Sequence, residues 1–384
     1  MEKFEHLSIT STRPKWVRKY PEPIPVIILM NIFSRLEGKS IARFSCVSKL
    51  WRNILRRPDF TELFLTKSST RPRLFFTLAT IDDKFLFYSS PQPQNLNEDC
   101  TLVATRYHKS FPEYFRSGDC STACGLAFLH SPYKTKMHVV CNPITGEFLA
   151  LPKLTLSRVK AKSKQAYKEK TRAIFLGYDP ISKQFKVLSM ASSRCKRANT
   201  HQVLTMEPGK RLWRRVECKF HFKVTFRIHR EICINGVLYF GAEVGEYCVI
   251  VCFDVRSEKL GLINMSKDMI GTDTSYEDWR FTLFNYKGKL GVRQKTYWDR
   301  ELVLWVLEDA ASHQWSKQTY ALPPISGSRK WNCNSCSHSK EWFVGMTGTG
   351  EIVFSAHINE PELFRVHFYN LERKTFTKSR YSGA

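Results

Sequence analysis

Apolar residues dominate the stretch IPVIILMNIFSRLEGKSIARFSCVSKLW, residues 24 to 51, in a chain that is otherwise polar. With Pro25 at zero and about 100° per residue, Ile28, Leu29, Ile32 and Leu36 fall within about 60° of it. Val26, Met30 and Phe33 form a second stripe beside the first. The spacing predicts a helix with two adjacent apolar faces, more than one small core uses. Ser40 reads as an N-cap before Ile41 to Val47, and Ser48 as a cap before a turn carrying Trp51, Ile54 and Leu55. Pro58 is expected to stop that turn. Three short helices in roughly 40 residues cannot bury their own apolar surface, so this region is expected to lean on a partner.

From about residue 71 the pattern changes to short β-rich runs. HVVCNPITGEFLALP (138–152), FLGYDPISKQFKVLSM (175–190), VIVCFDVRSEKLGLI (249–263), LVLWVLEDAASHQWSKQT (302–319) and VHFYNLERKTFTKS (366–379) share one form. Each is an apolar strand, a turn headed by Asn, Asp or Glu-Asp, then a second strand. A glycine landmark accompanies most of them: CGLAFL at Gly125, LGYD at Gly177, NGVLYF at Gly236, KGKLGV at Gly288 and TGEIVF at Gly350. Landmarks spaced by about 50 to 60 residues match the length of a propeller blade. DDKFLFYSS (82–90) supplies one earlier start, so about six blades are expected.

Composition narrows the class. The 384 residues are 42% hydrophobic and 25% charged, as in a soluble globular protein. Asn31, Ser34 and Arg35 interrupt the apolar opening well short of the roughly 18 to 20 residues a membrane span needs. The start MEKFEHLSITSTRPKW has no apolar signal core, which argues for a cytoplasmic or nuclear protein and leaves the sequon at Asn264 without meaning. Twelve cysteines are scattered along the chain, and Cys141, Cys233 and Cys252 lie in strand-like runs. They are read as reduced thiols in a core. A net charge of +25 favours acidic partners.

The opening stretch resembles the F-box. Ile24-Pro25, Ile28, Ile32, Arg35-Leu36, Lys39-Ser40-Ile41, Arg43-Phe44, Cys46 to Lys49, Trp51 and Pro58-Asp59-Phe60 follow that family's pattern in order. The downstream chain is similar to the Kelch-like F-box-associated domain of plant proteins. The similarity rests on RPRLFF (71–76), CNPITGEFLALP (141–152), FLGYDPISKQFKVL (175–188), INGVLYF (234–240), FDVRSEKL (253–260), YKGKLGV (286–292) and VLEDAASHQWSK (306–317). The resemblance implies a mostly β protein with a small α domain: a three-helix F-box at 21–66, then a β-propeller-like domain over 67–384. Residues 1–20 are expected to be a disordered basic terminus. It further implies a non-catalytic substrate receptor of a Skp–cullin–F-box ubiquitin ligase. The F-box would bind a Skp-type adaptor, and through it a cullin, while the propeller recruits an unidentified protein, an acidic one given the charge. Matched to the motif, the adaptor contacts are Pro25, Ile28, Ile32, Leu36, Ile41, Val47 and Trp51. Three positions depart from the pattern: Ile27 stands where an acidic or polar residue is usual, Asn31 where an acid is frequent, and Glu37 replaces a proline.

Other chemistry finds little footing. Gly38-Lys39-Ser40 mimics the end of a phosphate-binding loop, but Phe33 occupies the position that needs a glycine. Cys333, Cys336 and His338 offer three zinc ligands without the paired cluster of a structural site, so no metal is expected. Cys248 and Cys252 would share one face of a strand, as core residues do. No hydrolase elbow, metalloprotease helix or dinucleotide fingerprint is present, and no cofactor is expected. The strongest rival is the basic region 158–230: RVKAKSKQAYKEKTR (158–172), RCKRANTH (194–201), KRLWRR (210–215) and KFHFKVTFRIHR (219–230). Phe220, Phe222 and Phe226 alternate there with cations, as in a base-stacking surface or a half-buried strand with a basic outer face. The alternative is thus a basic propeller that binds nucleic acid or protein without a ligase, beside a decayed F-box.

Overall fold

The computed structural model describes residues 24–79, 85–92, 100–106, 119–130, 138–143, 147–153, 172–191, 201–207, 209, 212–225, 227–270, 280–296, 301–323, 341–356 and 364–383. The expected disordered terminus, residues 1–20, lies outside them. The chain divides into two units, Met1–Thr70 and Arg71–Ala384.

In the first unit four helices follow one another: α1 (Val26–Phe33), α2 (Gly38–Phe44), α3 (Lys49–Leu55) and α4 (Pro58–Ser69). Ser48 caps α3 as expected, its hydroxyl accepting from the Trp51 amide at 3.1 Å. Ser40 is not a cap. Helix α2 starts two residues earlier, with extended Glu37 before it, and stops at Phe44, so Val47 lies beyond it. Pro58 does follow the end of α3, but it also opens α4, where a missing N–H and a fixed φ suit the first helical position. The core joins Leu29, Met30, Phe33, Ile54 and Phe60. Phe33, Phe44 and Trp51 form an aromatic triangle with centroids 5.1–5.7 Å apart.

The second unit is almost entirely strand and forms six antiparallel blades. Blade 1 holds β1 (Arg73–Ala79), β2 (Phe85–Pro91) and β3 (Cys100–Arg106). Blade 2 holds β4 (Asp119–Ala123), β5 (Leu126–His130), β6 (Val139–Cys141) and β7 (Phe148–Ala150). Blade 3 holds β8 (Arg172–Asp179), β9 (Gln184–Ala191), β10 (His201–Thr205) and β11 (Arg214–Val216). Blade 4 is β12 (Lys223–Val224), β14 (Ile232–Ile234), β15 (Val237–Val244), β16 (Tyr247–Asp254) and β17 (Leu260–Asn264). Between its first two pieces the chain inserts β13 (Ile228–His229), which pairs with blade 5. A short helix, α5 (Lys267–Ile270), leads on to blade 5: β18 (Phe281–Tyr286), β19 (Lys289–Gln294), β20 (Glu301–Asp309) and β21 (Gln314–Ala321). Blade 6 is β22 (Glu341–Met346), β23 (Ile352–Ala356), β24 (Phe364–Asn370) and β25 (Thr375–Gly383).

Six apolar clusters lie between successive blades and close the ring. Phe87 meets Leu129 and Val139 between blades 1 and 2. Phe128 and Val140 meet Ile174 and Leu176 between blades 2 and 3. The larger clusters centre on Phe175 with Phe240, on Ile250 with Leu283, and on Phe284 with Phe354. Phe76 with Phe368 completes the circuit. The ends of the ring are also tied by backbone: β25 pairs parallel with β3 over Ser379–Gly383 and Cys100–Ala104. That ladder joins blades 1 and 6 into one seven-stranded sheet.

Turn chemistry explains the repeat. Gly125, Gly236 and Gly288 have positive φ and follow Cys124, Asn235 and Lys287, which also do, the signature of tight hairpins between the first two strands of a blade. Gly177 is different. It lies inside β8 with ordinary φ, and a Cβ there would come within 2.7 Å of Val255. Its place in the series reflects close packing, and the blade 3 turn comes later, at Asp179. Asp179, Asp254, Asp309 and Asn370 each fold a side-chain oxygen back onto a nearby amide, and left-handed Lys183, Glu258, His313 and Lys374 end these turns. Cys248 and Cys252 do pack against the cluster between blades 4 and 5. Cys46, Cys120, Cys124, Cys141, Cys218, Cys233, Cys248 and Cys252 are free thiols, and burial pushes Cys141 up to about 12. Cys333, Cys336 and His338 lie outside the described residues.

Candidate functional site

Helix α1 has two unlike sides. Leu29, Met30 and Phe33 face α3 and α4 in the core. Ile27, Ile28 and Ile32 lie on its other side and are exposed, Ile27 with 70% of its surface, and so are Val26 at the first helical position and Ile24 just before the helix. Exposed Asn31 donates to the Ile27 carbonyl at 3.0 Å and buried Ser34 to the Asn31 carbonyl at 2.9 Å, so the helix settles both polar side chains on its own backbone.

The seven residues expected at an adaptor interface divide. Pro25, Ile28, Ile32 and Val47 are exposed. Leu36, Ile41 and Trp51 are half-buried against the helical core. Helical periodicity grouped Leu29 with Ile28 and Ile32, yet the boundary between core and surface runs between Ile28 and Leu29. A helical wheel shows which residues share a side but not where the packing helices will lie. Leu50 and Leu65 are exposed as well and were not among the expected contacts. Leu50 sits between Lys49 and Trp51, and it turns outward because α3 packs its Trp51, Ile54 and Leu55 side against the other helices. Each Ile- or Leu-sized side chain taken from water would contribute roughly 1.5 to 3 kcal/mol, so a few of these suffice for a stable contact.

The basic region 158–230 lies in the propeller. Most of RVKAKSKQAYKEKTR (158–172) and RCKRANTH (194–201), together with Phe226, lies outside the described residues. Within the rest, Phe222 is 1% exposed, stacked on His201 and packed near Phe240, and Phe220 is half-buried beside it. Neither presents a ring face for a base. Residues 219–224 alternate between exposed cations or His and inward apolar groups, as a strand with a basic outer face does. Several cations are also matched by carboxylates. Lys223 and Arg227 lie 3.6 and 3.7 Å from Glu243. Buried Lys186 lies 2.6 Å from Glu258, whose other partner is Arg214. Burial raises the Glu258 pKa, but the hydrogen bonds from Arg214 and Lys186 outweigh it and hold the carboxyl below its ordinary value. Among the described residues no group of His, Cys, Asp and Glu is arranged to hold a metal, and no helix is long and apolar enough to cross a membrane.

Comparison with known proteins bears on both units. Residues 23–63 match the F-box domain, and residues 73–384 match the F-box associated beta propeller domain. F-box protein At1g53790 of Arabidopsis thaliana is 42% identical over 362 residues, covering 92% of this chain and 76% of that one. The putative F-box protein At1g53370 of the same plant is 43% identical over 372 residues, covering 96% of this chain and 89% of that one. F-box protein DOR, also from Arabidopsis thaliana, is 39% identical over 383 residues, covering 94% and 89%.

Proposed function

This chain belongs to the F-box proteins that carry an F-box associated beta propeller domain, and on that premise we propose that it is the substrate-recruiting subunit of a Skp–cullin–F-box ubiquitin ligase. The observation that supports this reading most directly is the outward apolar face of α1. It combines Ile27, Ile28 and Ile32 on a helix whose opposite side already completes a core, with exposed Ile24 just before it. A helix in water gains nothing from that face alone, and a Skp-type adaptor supplies the missing apolar surface. The adaptor would connect to a cullin, and the propeller would hold a target protein. The receptor itself would contribute proximity while other subunits transfer ubiquitin. Such a complex works in the cytoplasm or nucleus, where its thiols stay reduced.

Replacing Ile28 and Ile32 together by Asp tests this. The double variant should lose at least 100-fold in adaptor capture, because two carboxylates cannot be desolvated in an apolar contact. Both side chains are exposed in the isolated chain, so the melting of either unit should barely move. Wild-type protein that captures no Skp-type adaptor would remove the ligase reading. The rival, a basic propeller acting without a ligase, draws no support from Phe222, whose ring is buried.

A further inference from the structure

The first strands of neighbouring blades contact one another, β4 with β8, β14 with β18 and β18 with β22, which places them nearest the propeller axis. Blade 4 breaks this arrangement. Its first strand comes in two pieces, β12 and β14, both paired with β15. Between them the chain leaves its own blade. Ile228 and His229 pair with Phe281 and Thr282 on the free edge of β18, and the Phe281 amide donates to the Arg227 carbonyl at 3.1 Å. Gly241 allows the detour, since a Cβ there would stand 2.3 Å from the Ile228 Cβ. The free edge of a first strand faces the central channel, so residues 227–230 run along the channel wall.

Arg230 ends this crossing. Its Nη1 donates at 2.9 Å to the carbonyl of Val344, on the first strand of blade 6. Val344 is the extra residue of a β-bulge, unpaired in the ladder between Phe343 and Gly345. A guanidinium has five N–H donors, and this contact uses one. No carboxylate of the described residues lies within ion-pair distance. Solvent reaches the side chain, yet surrounding protein pushes its pKa below the ordinary value, with Glu231 opposing. Both fit a cation on the channel wall that protein surrounds without sealing it from solvent. Glu231 has a buried oxygen without a hydrogen-bond partner and does not close on Arg230.

We propose that the remaining donors of Arg230 receive a carboxylate side chain of the recruited protein, inserted into the channel where β13 crosses it. The identity of the occupant as a recruited protein rests on the receptor reading above. The bond to Val344 anchors one nitrogen of the guanidinium, and a carboxylate matches the remaining planar fork with two parallel hydrogen bonds. A nucleic-acid backbone fits less well. Glu231 and Glu243 lie beside Arg227 and Arg230 and keep local charge too balanced for a polyphosphate.

The test uses the full chain and a fluorescein-labelled peptide of alternating Glu and Gly with an amidated C-terminus, followed by anisotropy at physiological salt. Wild type should bind it saturably. Arg230→Met and Arg230→Lys should each weaken binding about tenfold or more, whereas Lys259→Met, at an exposed site elsewhere, should change it less than about twofold. Glu231→Gln should tighten binding, because it removes a competing carboxylate, and this arm stands even if Arg230→Met fails to fold. Failure of wild type to bind, full affinity in Arg230→Lys, equal losses in Lys259→Met, or no gain in Glu231→Gln would each overturn the proposal. A Gln–Gly peptide with a free C-terminus that bound as well would overturn the side-chain assignment in favour of a chain end. Preferential displacement by a single-stranded oligonucleotide would overturn it in favour of nucleic acid. Adaptor capture should be unchanged in every Arg230 and Glu231 variant, so loss of the ligase reading and loss of this site register separately.

Discussion

Among the described residues, eight large apolar side chains stand exposed on the short helical unit, whereas the far longer propeller exposes five. The two also differ in arrangement. Val26, Ile27, Ile28 and Ile32 sit on one helix with Ile24 just before it, while Phe148, Ile181, Leu212, Tyr247 and Val344 are spread over four blades. The helical unit has one small core and so leaves a face over; the propeller has six inter-blade seams, each absorbing the apolar sides of two sheets. Exposed apolar surface is therefore concentrated on one helix, and on the function proposed above the propeller would be left with polar recognition.

The contrast can be broken most severely at the seam of the ring. Removing residues 379–384 deletes the β3–β25 ladder and exposes the Phe76–Phe368 cluster. The propeller should then lose its cooperative thermal transition altogether, while the helical unit keeps adaptor capture. Phe240→Ala should be milder, costing about 3 to 5 kcal/mol in a denaturant titration, because its fully buried ring fills the seam between blades 3 and 4.

Acid gives a third measure. His201 is 1% exposed, neither ring nitrogen has a hydrogen-bond partner, and desolvation, then neighbouring His221, lowers its pKa from 6.5 to about 4. The folded state therefore prefers the neutral ring. Its contribution is complete above about pH 6.5 and is lost as pH falls toward 4, on the order of 3 kcal/mol in all. His201→Phe should flatten that part of the pH–stability curve of the propeller, and an unchanged curve would remove His201 as its source. Smallest of all, Ile27→Glu on the exposed face should alter stability by no more than about 0.5 kcal/mol. A drop in adaptor capture with that variant would place Ile27 inside the interface.

Much of this was legible in residues 24–51 and in the turn-punctuated runs after 71, because helical and strand periodicities are local properties. Glycine after Asn or Lys marks the hairpins of blades 4 and 5, and Asp or Asn heads the turns that end in a left-handed residue. Pro58 was ambiguous by nature: proline is barred from a helix interior but welcome at its first position, and only the chain beyond it decides. Gly177 carried the same letter as the turn glycines for another reason, the approach of Val255 from the next blade. The exposed Leu50 and Leu65 could not be separated from core leucines by spacing alone.

By itself the sequence determined the element types, the six-blade period and the presence of a helix with more apolar surface than its unit can bury. Those follow from backbone chemistry and from neighbours a few residues apart. Tertiary structure decided which side of α1 stays outside, that the ring closes through a parallel pair of distant strands, that Phe222 is core, and that Arg230 crosses to Val344. Each depends on contacts between residues far apart in the chain, for which the local pattern of polar and apolar positions carries no address.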